Sequence, residues 1–298
     1  MFRWVTDVER GGWVADRLGP FGGWVGSVVP RGFDAYARVL HRARGRGNEP
    51  VRWVEVAASV GTVVHPTAQW WKVARRPDMG RHQGGWPGAD PVPGELDPGQ
   101  LAALVAVLRG FTGPDAVTAA FWEGSGWQTS VLLTARHDGD AGVPLGMRLR
   151  RSGTGVGARL RRRGAARTSR GPAVLGDPTP DPDVLVGPML DPGVLGGPML
   201  ELPGRHHMLF AGSLDDVGAL AEGAARADVR PFRPGTRTPS LLWPDDRSWC
   251  VATEVDLDST LVGGPRRLID TVLADETLEA LEVSESDSLM VDGDQVNP

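Results

Sequence analysis

The sequence predicts an α+β fold in which helices flank mixed or antiparallel sheets and a long disordered insert interrupts the chain. Strand and helix patterns follow one another without the regular βαβ alternation of a doubly wound sheet. The chain has 298 residues, enough for a core of ordinary size, and its 41 Gly and 25 Pro residues fall just short of the share typical of wholesale disorder. The uneven spread of those Gly and Pro residues indicates where the insert lies.

Residues 137–204 form the predicted disordered insert. No aromatic residue lies between Trp127 and Phe210, and about a third of residues 137–204 are Gly or Pro. Segments with few aromatic and branched side chains rarely offset the entropy lost on ordering. Nine Arg and no acid lie between positions 141 and 176, and the decapeptide of residues 181–190 is nearly repeated at 191–200. We interpret the repeat as a recent duplication, with a short partner-docking peptide as the alternative, and we expect the fold to survive deletion of 141–200.

The flanks are expected to form an N-terminal α+β lobe at residues 1–136 and a C-terminal α+β lobe at 205–298 that packs on the first. In the N-terminal lobe, Phe33, Tyr36, Ala37 and Leu40 have the spacing of one apolar helical face and predict a helix. The clearest helix follows Asp97, its expected N-cap, and ends before residue 110. Two β-rich runs, 117–123 and 127–134, predict a hairpin with its turn at 124–126.

The C-terminal lobe carries similar signals. Residues 206–212 read as a strand, and a helix follows with Ser213 as N-cap and Asp216 completing the capping box. Residues 248–260 predict one strand in which Val251, Thr253, Val255 and Leu257 share a face. Residues 243–249, with a tryptophan at each end, predict a structured turn before that strand. The sequence Gly-Gly-Pro at 263–265 is expected to open the last helix.

Three stretches resemble a family of uncharacterised cytoplasmic proteins from high-GC actinobacteria. They are residues 25–41, residues 51–57 with 61–66, and residues 240–264, followed by an acidic tail that ends in Asp-Gln-Val-Asn-Pro. Together with the flanking helices they span most of residues 1–135 and 205–298. No activity is assigned to this family, so the resemblance implies no catalytic residue, and the insert lies where the family has a shorter middle.

Carboxylates are the strongest chemical candidates. Period-2 spacing on one strand would place Glu254, Asp256 and Asp258 ~6.5–7 Å apart on the same face, where a hard cation could bridge two of them. Asp245 and Asp246 lie a few residues upstream and add oxygen ligands. The alternatives are a solvated sheet face and a charged surface for a partner. We assign no catalytic residue and commit to no metal site.

A second candidate is an anion contact at Gly263 and Gly264, whose backbone N–H groups would be assisted by Arg266 at the start of the last helix. An ordinary strand-to-helix turn is the alternative. His206 and His207 are adjacent, so in a strand they point to opposite faces and cannot chelate one ion together. We expect one of the two to be half-buried and the other solvated.

Composition limits the function classes. The formal net charge falls from −5 to −14 when the nine Arg of the insert are left out. A negative charge repels nucleic acid. We therefore expect the eleven Trp in the core and in one protein-binding patch rather than on a nucleic-acid surface. No apolar run approaches the ~18 residues of a membrane span, and the single Cys250, expected to be buried and inert, excludes an internal disulfide. We therefore expect a cytoplasmic location, no cofactor, no nucleic acid and no membrane.

Two functional hypotheses remain after these exclusions. The first is a non-enzymatic protein-interaction module, of an immunity-like or regulatory kind, whose partner is another protein. The alternative is a metal-dependent hydrolase that uses Glu254, Asp256 and Asp258. An enzyme needs these carboxylates in a concave pocket with convergent polar groups, whereas a binding protein can carry them on an open rim.

Overall fold

A computed structural model describes residues 2–76, 85–113, 116–124, 192–226 and 238–297 of the protein. The fold is α+β, as predicted, with helices on both faces of a nine-stranded antiparallel sheet. No helix within these ranges is both long and apolar enough to cross a bilayer.

The strands of the large sheet come from both ends of the chain. They are β1 (Arg3–Val5), β2 (Ala35–Leu40), β5 (Val117–Trp122), β6 (Leu200–Leu202), β7 (Arg205–Gly212), β8 (Leu241–Pro244), β9 (Cys250–Thr253), β10 (Ser259–Gly264) and β11 (Ala280–Val283). Their order is β1-β7-β5-β8-β9-β10-β2-β11, and β6 pairs with β7 beside β1. The short strands β3 (Ala43–Arg44) and β4 (Pro50–Val51) form a separate ladder.

The helices form two layers around the sheet. They are α1 (Gly12–Arg17), α2 (Val25–Val28), α3 (Trp53–Val60), α4 (Trp70–Val73), α5 (Pro98–Arg109), α6 (Pro192–Leu195), α7 (Leu214–Arg226) and α8 (Arg266–Ala274), and a 3-10 turn (Val8–Gly11) precedes α1. Side chains of α5, α7 and α8 share one core with the sheet. The opposite face packs against α1 and α2, while α3 and α4 bury a smaller third cluster around Trp53.

Local signals in the sequence correctly predict three of the helices, α5, α7 and α8. The carboxylate of Asp97 accepts the N–H groups of Gly99 at 2.8 Å and Gln100 at 3.1 Å, which satisfies two of the unpaired donors at the start of α5. At α7, the Ser213 N–H donates to the Asp216 carboxylate at 3.0 Å and the Asp216 N–H to the Ser213 hydroxyl at 3.3 Å. This reciprocal pair is the predicted capping box. The last helix, α8, also starts directly after Pro265, as expected.

The helix predicted from Phe33, Tyr36, Ala37 and Leu40 is wrong, because residues 35–40 form β2. This strand lies between β10 and β11, and all six of its residues are buried. A strand buried on both faces is a nearly continuous apolar run, whose residues match a helical stripe as readily as a strand. Burial in the sheet, rather than local spacing, determines the conformation of this segment.

The single strand predicted over residues 248–260 is also wrong. The strand β9 ends at Thr253 and β10 begins at Ser259, with Thr253 opposite Thr260, so the two form a hairpin. The Leu257 N–H donates to the Glu254 carbonyl at 3.0 Å and closes the turn between them. Acidic residues are common in turns and depleted from strands, which fits their position here.

Strands from both predicted lobes lie in one sheet. The described residues within 1–130 and 187–298 belong to one compact unit, and strands from the two flanks alternate in the sheet. The final residues of the predicted insert are also structured, since α6 and β6 lie within 192–204. The rest of 137–204, and the second strand of the predicted 117–134 hairpin, lie outside the described residues. Both edges of β5 are already paired at residues 117–120, by β7 and β8.

The acidic C-terminal tail docks on the segment around α4. Asp294 has a fully buried side chain, whose carboxylate accepts hydrogen bonds from His65 Nε2 at 2.8 Å and from the Asn297 N–H at 2.9 Å. The Lys72 ammonium donates to the main-chain carbonyl of Asp294 at 2.7 Å. The only lysine of the chain therefore holds the tail in place.

Candidate functional site

A pocket of about 280 Å³ opens on the sheet face that carries α1 and α2. Its floor consists of side chains from β5, β6, β7 and β8, and the turn after β9 forms one wall. The loop before α2 and the C-terminal segment complete the rim. The apolar lining residues are Leu18, Phe21, Val28, Trp122, Leu202, Pro203, Leu241, Val255, Leu257 and Met290.

Strand geometry places the polar groups of the floor together. Arg205 and His207 are two positions apart in β7, so their side chains share a face. The antiparallel register sets Trp122 of β5 opposite His207, and Leu202 of β6 opposite Arg205. Opposite residues on one face are close enough for their side chains to touch. The pairing of β5, β6 and β7 therefore brings these floor residues together.

Arg205 is the centre of the charged end of the pocket. Its Nη2 atom lies 2.5 Å from Glu254 Oε1 and 2.7 Å from Asp256 Oδ2, while its guanidinium carbon is 4.6 Å from the ring centroid of Trp122. The face of the Trp122 ring attracts the Arg205 cation. The tight turn after β9 directs the Glu254 and Asp256 carboxylates to the same guanidinium. The three charged groups carry a net charge of −1 when all are ionised.

Burial modifies the titration of two pocket residues. Burial raises the pKa of Glu254, and the nearby Arg205 guanidinium only partly opposes that rise. Burial also lowers the pKa of His207 to about 4, with Arg205 adding to the effect, so the imidazole is neutral at pH 7. Within the described part of the chain, neither His207 Nδ1 nor Arg205 Nε has a hydrogen-bond partner.

Asp258 is separated from the other two carboxylates. It pairs with the buried Arg38, whose Nη2 lies 3.2 Å from Asp258 Oδ1 and whose Nε donates to the Ser259 hydroxyl at 2.9 Å. Arg38 Nη1 also donates to the carbonyls of Pro66 and Ala68. The predicted face of three carboxylates does not exist: Glu254 and Asp256 belong to the pocket, and Asp258 belongs to a buried structural ion pair.

Asp245 and Asp246 lie at the opposite end of β9, in the turn that follows β8. Asp245 pairs with Arg10 at 3.2 Å, and the Asp246 carboxylate accepts the Ser248 N–H at 3.0 Å. A hydrogen bond of 2.9 Å from the Arg247 N–H to the Pro244 carbonyl closes the turn. The predicted structured turn is confirmed, and Trp243 and Trp249 at its two ends are buried. These two acids therefore add no ligand to Glu254.

The three residues of the anion-contact hypothesis are engaged elsewhere. Gly263 lies in β10 between Tyr36 of β2 and Cys250 of β9, and Gly264 lies opposite Ala35. They are strand residues rather than an open loop. Arg266 pairs with Glu282 at 2.8 Å and with Asp270 at 3.7 Å.

The remaining sequence candidates lie in the expected kinds of environment, except that His207 is buried rather than half-buried. His207 is buried and His206 is exposed near Glu123, so the adjacent histidines do face opposite sides. Cys250 is buried, and burial raises the pKa of its thiol. Among the described residues, no three His, Cys, Asp or Glu side chains lie close enough together to hold a metal ion.

Sequence reasoning missed Arg205, Trp122, Phe21 and Met290 as parts of one site. No local motif joins them, since they come from four separate segments and meet only when the sheet and its overlying loops are formed. Arg205 and His207 are two positions apart in the sequence, and this spacing was the one available sign that their side chains share a strand face. The spacing did not show which residues would pair with Arg205.

The resemblance to an actinobacterial family stays a prediction, because no family model, no curated protein and no solved structure matches the chain.

Proposed function

We propose that the protein is a non-enzymatic protein-interaction module, immunity-like or regulatory, that binds another protein through this pocket and its apolar rim. The rim consists of Phe21, Trp24 and Met290. The proposal includes a cytoplasmic location and requires no cofactor, nucleic acid or membrane.

The exposure of the rim carries the proposal. Phe21 is 68% exposed, Trp24 51% and Met290 46%, and Phe21 and Met290 also line the pocket. Trp24 adjoins them, because a β-bridge pairs it with Ser288 and the Leu289 N–H donates to the Gly23 carbonyl. Contiguous exposed apolar side chains mark interaction sites, and interfaces are enriched in aromatic residues and methionine.

The polar groups of the pocket support binding over catalysis. Glu254 and Asp256 both pair with Arg205, so neither is an isolated carboxylate. A paired cluster beside an apolar cavity supplies orientation and specificity to a bound partner.

The test uses purified protein immobilised on beads and exposed to extracts of native host cells. We expect a partner to be retained by the wild type and by a Val92→Ser control, which changes an exposed valine outside the pocket. The Phe21→Ser/Met290→Ser double variant should lose at least about tenfold in affinity when the partner is purified and titrated. Equal affinity of the double variant, or no binding between purified components, would contradict the proposal.

A further inference from the structure

The pocket has one charged end with an excess of negative charge. Arg205 is shared by Glu254 and Asp256, and the side chain of Asp256 is 79% exposed. A carboxylate has about four lone-pair sites, so Asp256 can accept further donors from outside while it stays paired. Among the described lining residues, Arg205, Glu254 and Asp256 are the charged ones, since the pocket imidazole is neutral at pH 7.

The rest of the pocket lining is mostly apolar, and the cavity is small. Phe21, Leu257 and Met290 are among its walls, and its volume of about 280 Å³ lies just below the ~300–1,000 Å³ of small-molecule sites. A cavity of this size is large enough for one large side chain. The exposed Trp24 and Phe21 extend the apolar surface beyond the cavity itself.

We infer that the pocket takes a segment of a partner protein in which a large apolar side chain stands next to a lysine or arginine. This inference rests on the proposed protein-binding function and names the chemistry of the partner. The apolar side chain fills the cavity, and its cationic neighbour meets the exposed carboxylate of Asp256. Arg205 keeps its place, held by Glu254 and by the face of Trp122.

Charge complementarity is the reason to prefer a cationic segment to an anionic one. An unpaired arginine would favour a partner carboxylate, but two acids already neutralise Arg205 and leave an excess negative charge. A partner carboxylate would meet like charge at this end, and like-charge contacts are costly at interfaces. The net charge of −5 for the whole chain acts in the same direction over longer distances.

The test uses four blocked tetrapeptides as probes. In the two central positions they carry phenylalanine with lysine, phenylalanine with glutamine, phenylalanine with glutamate, or serine with lysine. Binding is followed by NMR on the indole N–H signal of Trp122, which the Trp122→Phe variant assigns. We expect the phenylalanine–lysine peptide to bind about threefold more tightly than the glutamine peptide and about tenfold more tightly than the glutamate peptide. The serine–lysine peptide should leave the signal unmoved.

Two matched variants locate the charge preference. Asp256→Asn should abolish the preference for lysine over glutamine, because it removes the exposed carboxylate. Asp270→Asn removes one exposed carboxylate from α8 and changes the net charge equally, so it should keep the preference. Thermal melts of both variants verify that they remain folded.

The outcomes separate this inference from the proposed function. If the glutamate peptide binds as tightly as the lysine peptide, the cationic partner is excluded while the pocket remains a binding site. If Asp270→Asn weakens the preference as much as Asp256→Asn does, net charge rather than Asp256 selects the peptide, and the inference is overturned. If no phenylalanine peptide moves the Trp122 signal at millimolar concentration, the proposed function itself fails at this site.

Discussion

His65 Nε2 donates a hydrogen bond of 2.8 Å to the carboxylate of Asp294, a residue 229 positions further along the chain. The same carboxylate accepts backbone N–H groups from Gln69 and Asn297. Burial alone would raise the pKa of Asp294, but the hydrogen bonds from Asn297, Gln69 and His65 outweigh it and hold that pKa well below its usual range. The tail is thus fixed by an ionised, buried acid.

Replacing Asp294 by Asn should lower the free energy of unfolding by about 1–3 kcal/mol at pH 7, because an amide cannot accept all of these donors. Because the native pKa of Asp294 lies below the unfolded value of about 3.9, the ionised carboxylate stabilises the fold at any pH above that unfolded value. This stabilisation is lost as the pH falls below about 3.9 toward the native pKa. Urea denaturation at neutral and acid pH tests both points. The exposed Asp292→Asn control should change neither the stability nor its pH dependence.

Asp258 and Asp256 should respond differently to the same substitution. Asp258→Asn breaks the ion pair of the buried Arg38 and should cost about 2 kcal/mol, because it leaves a buried charge poorly compensated. Asp256→Asn, at an exposed side chain, should change stability by less than about 0.5 kcal/mol. Denaturant melts of the two variants decide the matter. Equal costs would mean that the two carboxylates share one environment after all.

Trp249→Ala should destabilise the protein by about 3–5 kcal/mol, since it empties a fully buried site in the main core. The control is Trp24→Ala, which shortens a half-exposed side chain and should cost less than about 0.5 kcal/mol. Chemical denaturation measures both. A small effect at Trp249 would show that the core can collapse around the missing ring.

His207 should make stability depend on pH. Its native pKa of about 4 lies below the unfolded value of about 6.5, so the unfolded state binds more protons between these values. The contribution of His207 to the free energy of unfolding is therefore fully present above pH ~6.5. That contribution falls by about 3 kcal/mol as the pH drops toward 4. The His207→Phe variant should lose that part of the slope and keep the part that comes from His41, which is also buried. Proton NMR of the imidazole gives an independent check, and a ring that titrates near pH 6.5 would refute the prediction.

Local sequence signals predicted α5, α7 and the turn of Asp245 and Asp246, because each depends on side chains that bond to nearby backbone groups. The residues of β2 carried no such signal. Their apolar spacing suited a helix, and only the neighbouring strands β10 and β11, more than 200 positions away in sequence, make them a strand. Sequence separation, rather than weak propensity, accounts for this error.

The candidate site was only partly predictable for the same reason. Glu254 and Asp256 were identified, but on a strand face that they do not share, because the β9–β10 hairpin was not recognised. Their partner Arg205 lies about 50 positions earlier in the chain. Phe21 and Met290 are exposed residues near opposite ends of the chain, and no pattern of spacing joins them to the cluster.

The alternation of strands in the sheet has a consequence for synthesis on the ribosome. Among the described strands, β1, β2 and β5 make no pairing with one another, and each finds its partners only among strands that follow residue 199. The first 124 residues therefore leave the ribosome with three unpaired strands, whose edges can pair with other nascent chains. A nascent chain stalled before β7 should depend on chaperones to stay soluble, whereas release of the full chain supplies the partner strands β7, β8, β10 and β11.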